Sequence, residues 1–156
     1  MKLYELLKPE LIKLNLNSSS TEEVLIEILN DIKLKLQIPN DKLILKKLLE
    51  REKMGTTAIG NYTAVPHAKL KDISSPIVYV AISKEGIIYQ GSSNEPVNLV
   101  ILILSPSDSP ILHLQILAAA ASFAKKLNKN LKNIFKASSP EDLLNTIKEI
   151  EEENEF

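Results

Sequence analysis

Two scarce residue types in this chain can receive or clamp an anion. There are only two histidines, His67 and His113, and a single arginine, Arg51. A neutral imidazole near pH 7 keeps a lone pair on one ring nitrogen and can attack phosphorus. Arginine presents a rigid fork of donors matched to carboxylate or phosphate, which lysine cannot imitate. Arg51 and His67 bracket the stretch REKMGTTAIGNYTAVPH, which also holds Gly55, Gly60 and Pro66. Pro66 restrains the backbone just before His67 and biases Val65 to an extended form. Each residue also has an ordinary alternative. His67 can be a loop histidine with no task, and His113 a helix residue half-buried between Leu112 and Leu114. Arg51 can be a solvated helix-end residue in an ion pair three or four positions away, which contributes little.

The elements that must carry these residues are legible from periodicity. Leu11 to Leu16 alternates apolar with polar, a strand signal. Ser20 with Glu23 reads as a capping box, and Val24, Leu25, Ile28, Leu29 and Ile32 follow at helical spacing. Asn40 opens a second helix with Ile44, Leu45, Leu48 and Leu49 inward, ending at Gly55. Arg51 falls in its last turns. Thr56 to Val65 is a loop with a short strand. Ile77 to Ile82 is a β-branched strand, Lys84–Gly86 a turn, and Ile87–Tyr89 a returning hairpin arm. Val97 to Leu104 is a near-continuous apolar strand, as expected where both faces are covered. Ser109 and Pro110 start a helix predicted to run to Leu127, with His113 in its first turn. Ser139, Pro140 and Asp142 start a last helix with Leu143, Leu144, Ile147 and Ile150 inward. Glu151 to Phe156 reads as a frayed acidic tail. Helices alternate with strands without large linkers or repeats. The expectation is one α/β domain over residues 1–156, a mixed sheet covered by helices on both sides.

Composition removes several function classes. The chain has 156 residues, 44% hydrophobic and 25% charged, an ordinary balance for one domain. Nineteen basic residues against 20 acidic leave a net charge of −1, which argues against nucleic acid as a partner. There is no cysteine, so disulfides and thiolate metal sites are excluded. No HExxH motif or ligand-spaced carboxylate accompanies either histidine, so no metal is expected. A nucleophile elbow and a P-loop are both missing. The start, MKLYELLKPE, lacks the apolar core of a signal peptide, and no stretch approaches the ~20 apolar residues of a membrane span. A cytoplasmic location without membrane insertion is therefore expected.

Glu50-Arg51-Glu52-Lys53, then Gly60-Asn61, then Ala64-Val65-Pro66-His67-Ala68 resembles the active-site signature of a known family. It is that of the fructose/mannitol-type IIA components of the bacterial phosphotransferase system (PTS). The segment from Val97 to Leu104, followed by Ser109 to Ala118 with His113, is similar to the family's second block. The resemblance covers essentially the whole chain. It departs at Ala58 and Tyr62, where many members carry glycine, the residue that reaches positive φ cheaply.

The resemblance implies a three-layer fold and a phosphotransferase without ATP, metal or other cofactor. It implies that His67 accepts phosphate from a phosphohistidine carrier protein, HPr or its nitrogen-branch relative. His113 then assists, and Arg51 clamps the transferring group. Thr57 becomes a hydroxyl donor near the site, and Asn61 occupies a position where members carry Glu or Asn. The next partner is a IIB component for sugar uptake. Alternatively the chain is a nitrogen-branch regulator whose phosphorylation switches its binding to target proteins, a reading that a chain without a fused transporter favours. A helix N-terminus beneath His113 would keep it neutral. For all this, the two rings must lie within reach of one phosphate, with Arg51 on the rim of the same pocket.

Overall fold

The strand Val97–Pro106 is buried at every position, and the other strands are arranged around it. The computed structural model describes residues 1–38, 40–92 and 94–153. Within them the strands are β1 Ile12–Lys13, β2 Ala58–Gly60, β3 Thr63–Ala64, β4 His67–Leu70, β5 Ile77–Ile87 and β6 Val97–Pro106. The helices are α1 Thr21–Leu36, α2 Asp41–Lys53, α3 Pro110–Ala124, α4 Leu127–Phe135 and α5 Pro140–Glu152. β5 lies antiparallel along one side of β6, while β3 and then β4 run parallel to its other side. β2 pairs with β3, and β1 runs parallel to β5 at the far edge.

Alternation along β6 sorts the core into two layers. Val100, Leu102 and Leu104 face α1 and α2, where Val24, Ile28, Ile32 and Leu48 are buried. Leu99, Ile101 and Ile103 face the opposite layer, with Ile116, Phe123, Ile134 and Ile147 from α3, α4 and α5. The mixed sheet is thus covered on both faces, the expected three-layer α/β arrangement.

Several elements differ from the sequence reading. The predicted strand at 11–16 shrinks to Ile12–Lys13, because a 3-10 turn at Pro9–Leu11 delivers the chain directly onto Val80 and Ala81. Leu16 still donates its N–H to the Ile82 carbonyl at 2.9 Å. No hairpin reverses at Lys84–Gly86. β5 continues through it with a register shift against β6, and Ile88 bridges to Ser20 instead. Gly86 sits at φ 91°, and an added Cβ would lie 2.7 Å from the Pro96 Cβ, so a bulged glycine is what this crossing requires. α3 stops at Ala124 and a separate helix, α4, buries Leu127 and Ile134. Of the four N-caps expected from sequence, Ser20, Asn40, Ser109 and Ser139, only Ser139 caps with its side chain, accepting from Asp142 N at 3.0 Å. Ser20 Oγ donates to Glu23 Oε1 at 2.6 Å, so its predicted capping box is not closed.

The acidic tail is a correction. Glu151 and Glu152 belong to α5, and Glu151 is only 3% exposed. Its carboxylate accepts from the backbone N–H groups of Leu3 at 2.8 Å and Tyr4 at 2.7 Å. Residues 154–156 lie outside the described residues. Glu151 therefore clasps the two ends of the chain. Hydrogen bonds to a buried charge contribute about 1.5–3 kcal/mol each, so Glu151→Ala should cost at least ~2 kcal/mol. Urea unfolding will read this as a lower midpoint; an unchanged midpoint would mean that the clasp adds nothing.

Candidate functional site

His67 opens β4, a short strand whose register puts His67 opposite Ile103 and Lys69 opposite Ser105. Ala68 and Leu70 turn into the α1/α2 layer, so His67 and Lys69 turn toward the α3 side. Pro66 is part of this placement: its carbonyl accepts from Ile103 N at 3.0 Å and starts the pairing. α3 then folds back over the end of β6 and brings His113 onto the same face. The two imidazole centroids are 5.4 Å apart with ring planes tilted by 52°. That meets the shared-site requirement set by the sequence reading.

His67 Nδ1 lies 2.8 Å from the Val65 carbonyl oxygen. A carbonyl can only accept, so Nδ1 carries the proton and Nε2 keeps the lone pair of the neutral ring. His113 Nδ1 lies 2.7 Å from Ser105 Oγ, and His113 itself is 5% exposed. Both imidazoles titrate below the ordinary histidine range. For His67 the largest cause is burial; the Val65 carbonyl and Glu52 oppose it, while Arg51 and Lys69 reinforce it. For His113 burial comes first, then the neighbouring His67 and Lys69. Burial is thus the leading cause of the lowered value that keeps His113 neutral.

Arg51 stands in the last turn of α2 and reaches the cleft from the far side of β4. One guanidinium nitrogen, Nη1, donates to the Gly55 carbonyl at 2.8 Å. That bond closes the helix end and steadies the fork; its other N–H groups have no partner among the described residues. The cleft, about 460 Å³, contains His67, His113, Arg51, Lys47 and Lys69, with Glu50 the single carboxylate in its wall. Such a lining suits an anion. A larger groove of about 710 Å³ between α4 and α5 contains neither histidine, and its wall is made of solvated helix faces.

The two secondary residues are placed differently. Thr57 is 3% exposed, and its hydroxyl donates to the Glu52 carboxylate. Thr57 N also donates to Glu52 at 3.1 Å, and Tyr89 OH does so at 2.6 Å. With its proton committed to Glu52, Thr57 supports the site from beneath and does not offer a free donor. Its carbonyl in turn accepts from Val65 N at 2.9 Å. Asn61 sits in the β2–β3 turn, away from the cleft lining. Asn61 and Tyr62 both have positive φ, 53° and 61°, as a two-residue type I′ turn requires. Of the two glycine departures, only Tyr62 therefore occupies a left-handed position, a strain of about 1–2 kcal/mol. Its N–H on Glu95 Oε1, at 2.7 Å, and its carbonyl, bonded by Asn98 N and Leu99 N, hold it there. Sequence reasoning gave no task to Ser105 or Glu52. Ser105 ends an apolar run on the same face as Leu99, Ile101 and Ile103, which was its available signal.

Residues 5–150 match the family model described as phosphoenolpyruvate-dependent sugar phosphotransferase system, EIIA 2. The chain belongs to this family. It is 30% identical over 157 residues to a nitrogen regulatory protein of Klebsiella oxytoca, covering 99% of this chain and 95% of the relative. It is 27% identical over 147 residues to the PTS fructose-specific EIIABC component of Bacillus subtilis. That match covers 94% of this chain and only 23% of the longer relative. Among solved structures, the IIA-Ntr protein of Neisseria meningitidis superposes with a TM-score of 0.79 at 20% identity, covering 93% of this chain and 98% of that one. In the complex of enzyme IIAMTL with phosphorylated enzyme IIBMTL from Escherichia coli, the match has a TM-score of 0.75 at 19% identity, covering 91% and 96%. These likenesses establish the shared PTS IIA fold.

The depressed histidine values have a pH consequence. Between their lowered folded values and about 6.5, the unfolded chain binds more protons than the native one. The stability these rings contribute is full above about pH 6.5 and is lost as pH falls through the window below. An NMR titration should place both imidazole midpoints under ~6.5, and His67→Gln should remove its share of the acid destabilisation. A midpoint above 6.5 for either ring would contradict the buried, cation-flanked site.

Proposed function

We propose that this PTS IIA unit carries a phosphoryl group on His67 Nε2, taken from a phosphohistidine carrier of the HPr type. The observation that carries this reading is the Val65 carbonyl on Nδ1, which leaves Nε2 as the nucleophile beside His113 and Arg51. In the transfer, the N–P bond of the carrier breaks and the P–Nε2 bond forms. The carrier's imidazole leaves neutral with its other nitrogen still protonated. His67 becomes a phosphorylated imidazolium whose Nδ1–H remains bonded to Val65. No net proton is needed, and the carbonyl stabilises the positive ring as it forms. Donor and product are alike in chemistry, so the protein's contribution is positioning and charge stabilisation. Arg51 meets the equatorial oxygens, and His113 donates to one of them.

The onward acceptor we propose is a IIB component, in keeping with the IIAMTL–IIBMTL complex, in a cytoplasmic setting. A second reading rests on the 30% identity to a nitrogen regulatory protein over 99% of this chain. There the phosphorylation state of His67 would switch a partner surface.

Incubation with enzyme I, HPr and phosphoenolpyruvate should add one acid-labile phosphate, lost in His67→Ala; uptake by that variant at the wild-type level would overturn the assignment. Arg51→Lys keeps the charge but loses the fork. Its transfer rate should fall about tenfold or more, with the unfolding midpoint unchanged. A rate within about twofold of wild type would leave Arg51 as a helix-closing residue only.

A further inference from the structure

We propose that Ser105 fixes the ring tautomer of His113 and so acts as a positioning residue for the phosphoryl site. The inference rests on the phosphoryl-carrying reading for its purpose, though not for its geometry. Ser105 is completely buried near the end of β6, on the face that meets α3. Its hydroxyl lies 2.7 Å from His113 Nδ1 and has no other partner among the described residues. A buried O–H without an acceptor is costly, and the lone pair of Nδ1 is the acceptor the structure offers. When Nδ1 accepts, the single proton of the neutral ring must sit on Nε2.

That choice matters for the site. Phosphoryl oxygens only accept hydrogen bonds. An Nε2–H beside His67 is therefore a donor to them, while the opposite tautomer would set a lone pair against the anion. The two histidines consequently carry opposite tautomers. Val65 C=O holds the proton of His67 on Nδ1 and exposes a nucleophile. Ser105 O–H occupies Nδ1 of His113 and exposes a donor. The other polar residue within the apolar stretch of β6, Asn98, has an assignment of a different kind: its amide donates to the Ser83 carbonyl at 2.9 Å and holds the β5 bulge. Ser105 has no backbone partner of that sort, so its hydroxyl serves the histidine.

The test is 15N NMR of histidine-labelled protein at pH 7.5, together with transfer kinetics from HPr phosphorylated by enzyme I and phosphoenolpyruvate. Wild-type His113 should show a protonated Nε2 and an unprotonated Nδ1. Ser105→Ala removes one oxygen and should move both 15N shifts of His113 toward a mixture of tautomers. The shifts of His67 should stay in place. Transfer to and from His67 should slow by about fivefold, the rate equivalent of one lost hydrogen bond. A wild-type His113 protonated on Nδ1, or 15N shifts unmoved by Ser105→Ala, would overturn the assignment. Failure of wild-type protein to take up phosphate would instead overturn the proposed function, because the tautomer is read without phosphate.

Discussion

The hydrogen bond from His67 Nδ1 to the Val65 carbonyl is the constraint on which the site depends. It leaves the lone pair on Nε2 and commits Nδ1 to the backbone. It holds only if Val65 is itself fixed, and Val65 is tied on both sides. Its N–H donates to the Thr57 carbonyl at 2.9 Å, and the next residue, Pro66, accepts from Ile103 of the central strand. Thr57 is anchored in turn by the buried carboxylate of Glu52 at the end of α2. A line of hydrogen bonds therefore runs from the helix that carries Arg51 to the ring of His67. The proposed clamp, Arg51, and the proposed nucleophile, His67, are placed by one piece of structure.

The electrostatics follow from the same placement. Among the described residues β4 pairs with β6 alone, so its outer side opens to the cleft that Lys47, Arg51 and Lys69 share with the histidines. Burial, Arg51 and Lys69 keep His67 neutral, which a nucleophilic imidazole needs. The cations also favour the phosphate it would carry. Without the carbonyl of Val65 the ring would be depressed further and free to rotate. Burial outweighs this acceptor, so the ring still titrates below the ordinary histidine range.

Most of this was legible in the sequence where a local rule has one outcome. The apolar run at 97–104 had to be a doubly covered strand, and the motif around Pro66-His67 marked the family to which the chain belongs. The pairing of His67 with His113, 46 residues apart in sequence, followed once both motifs were taken together (113 − 67 = 46). What stayed hidden was set by tertiary partners. Gly86 reads as a turn until Pro96 is seen against it, when it becomes a bulge. Glu151 reads as a frayed end until the backbone of Leu3 and Tyr4 supplies its donors. Ser105 reads as the start of a loop because its partner sits eight residues on, across the turn into α3. Thr57 looked like a donor to the phosphate, yet a neighbouring carboxylate takes its proton.

The most direct test of the central claim is to identify the phosphorylated nitrogen. In 15N-labelled, phosphorylated protein, phosphorus–nitrogen coupling should connect the phosphate to His67 Nε2, with Nδ1 still protonated toward Val65. Coupling to Nδ1 would contradict the account, because that nitrogen would have to leave the Val65 carbonyl to react.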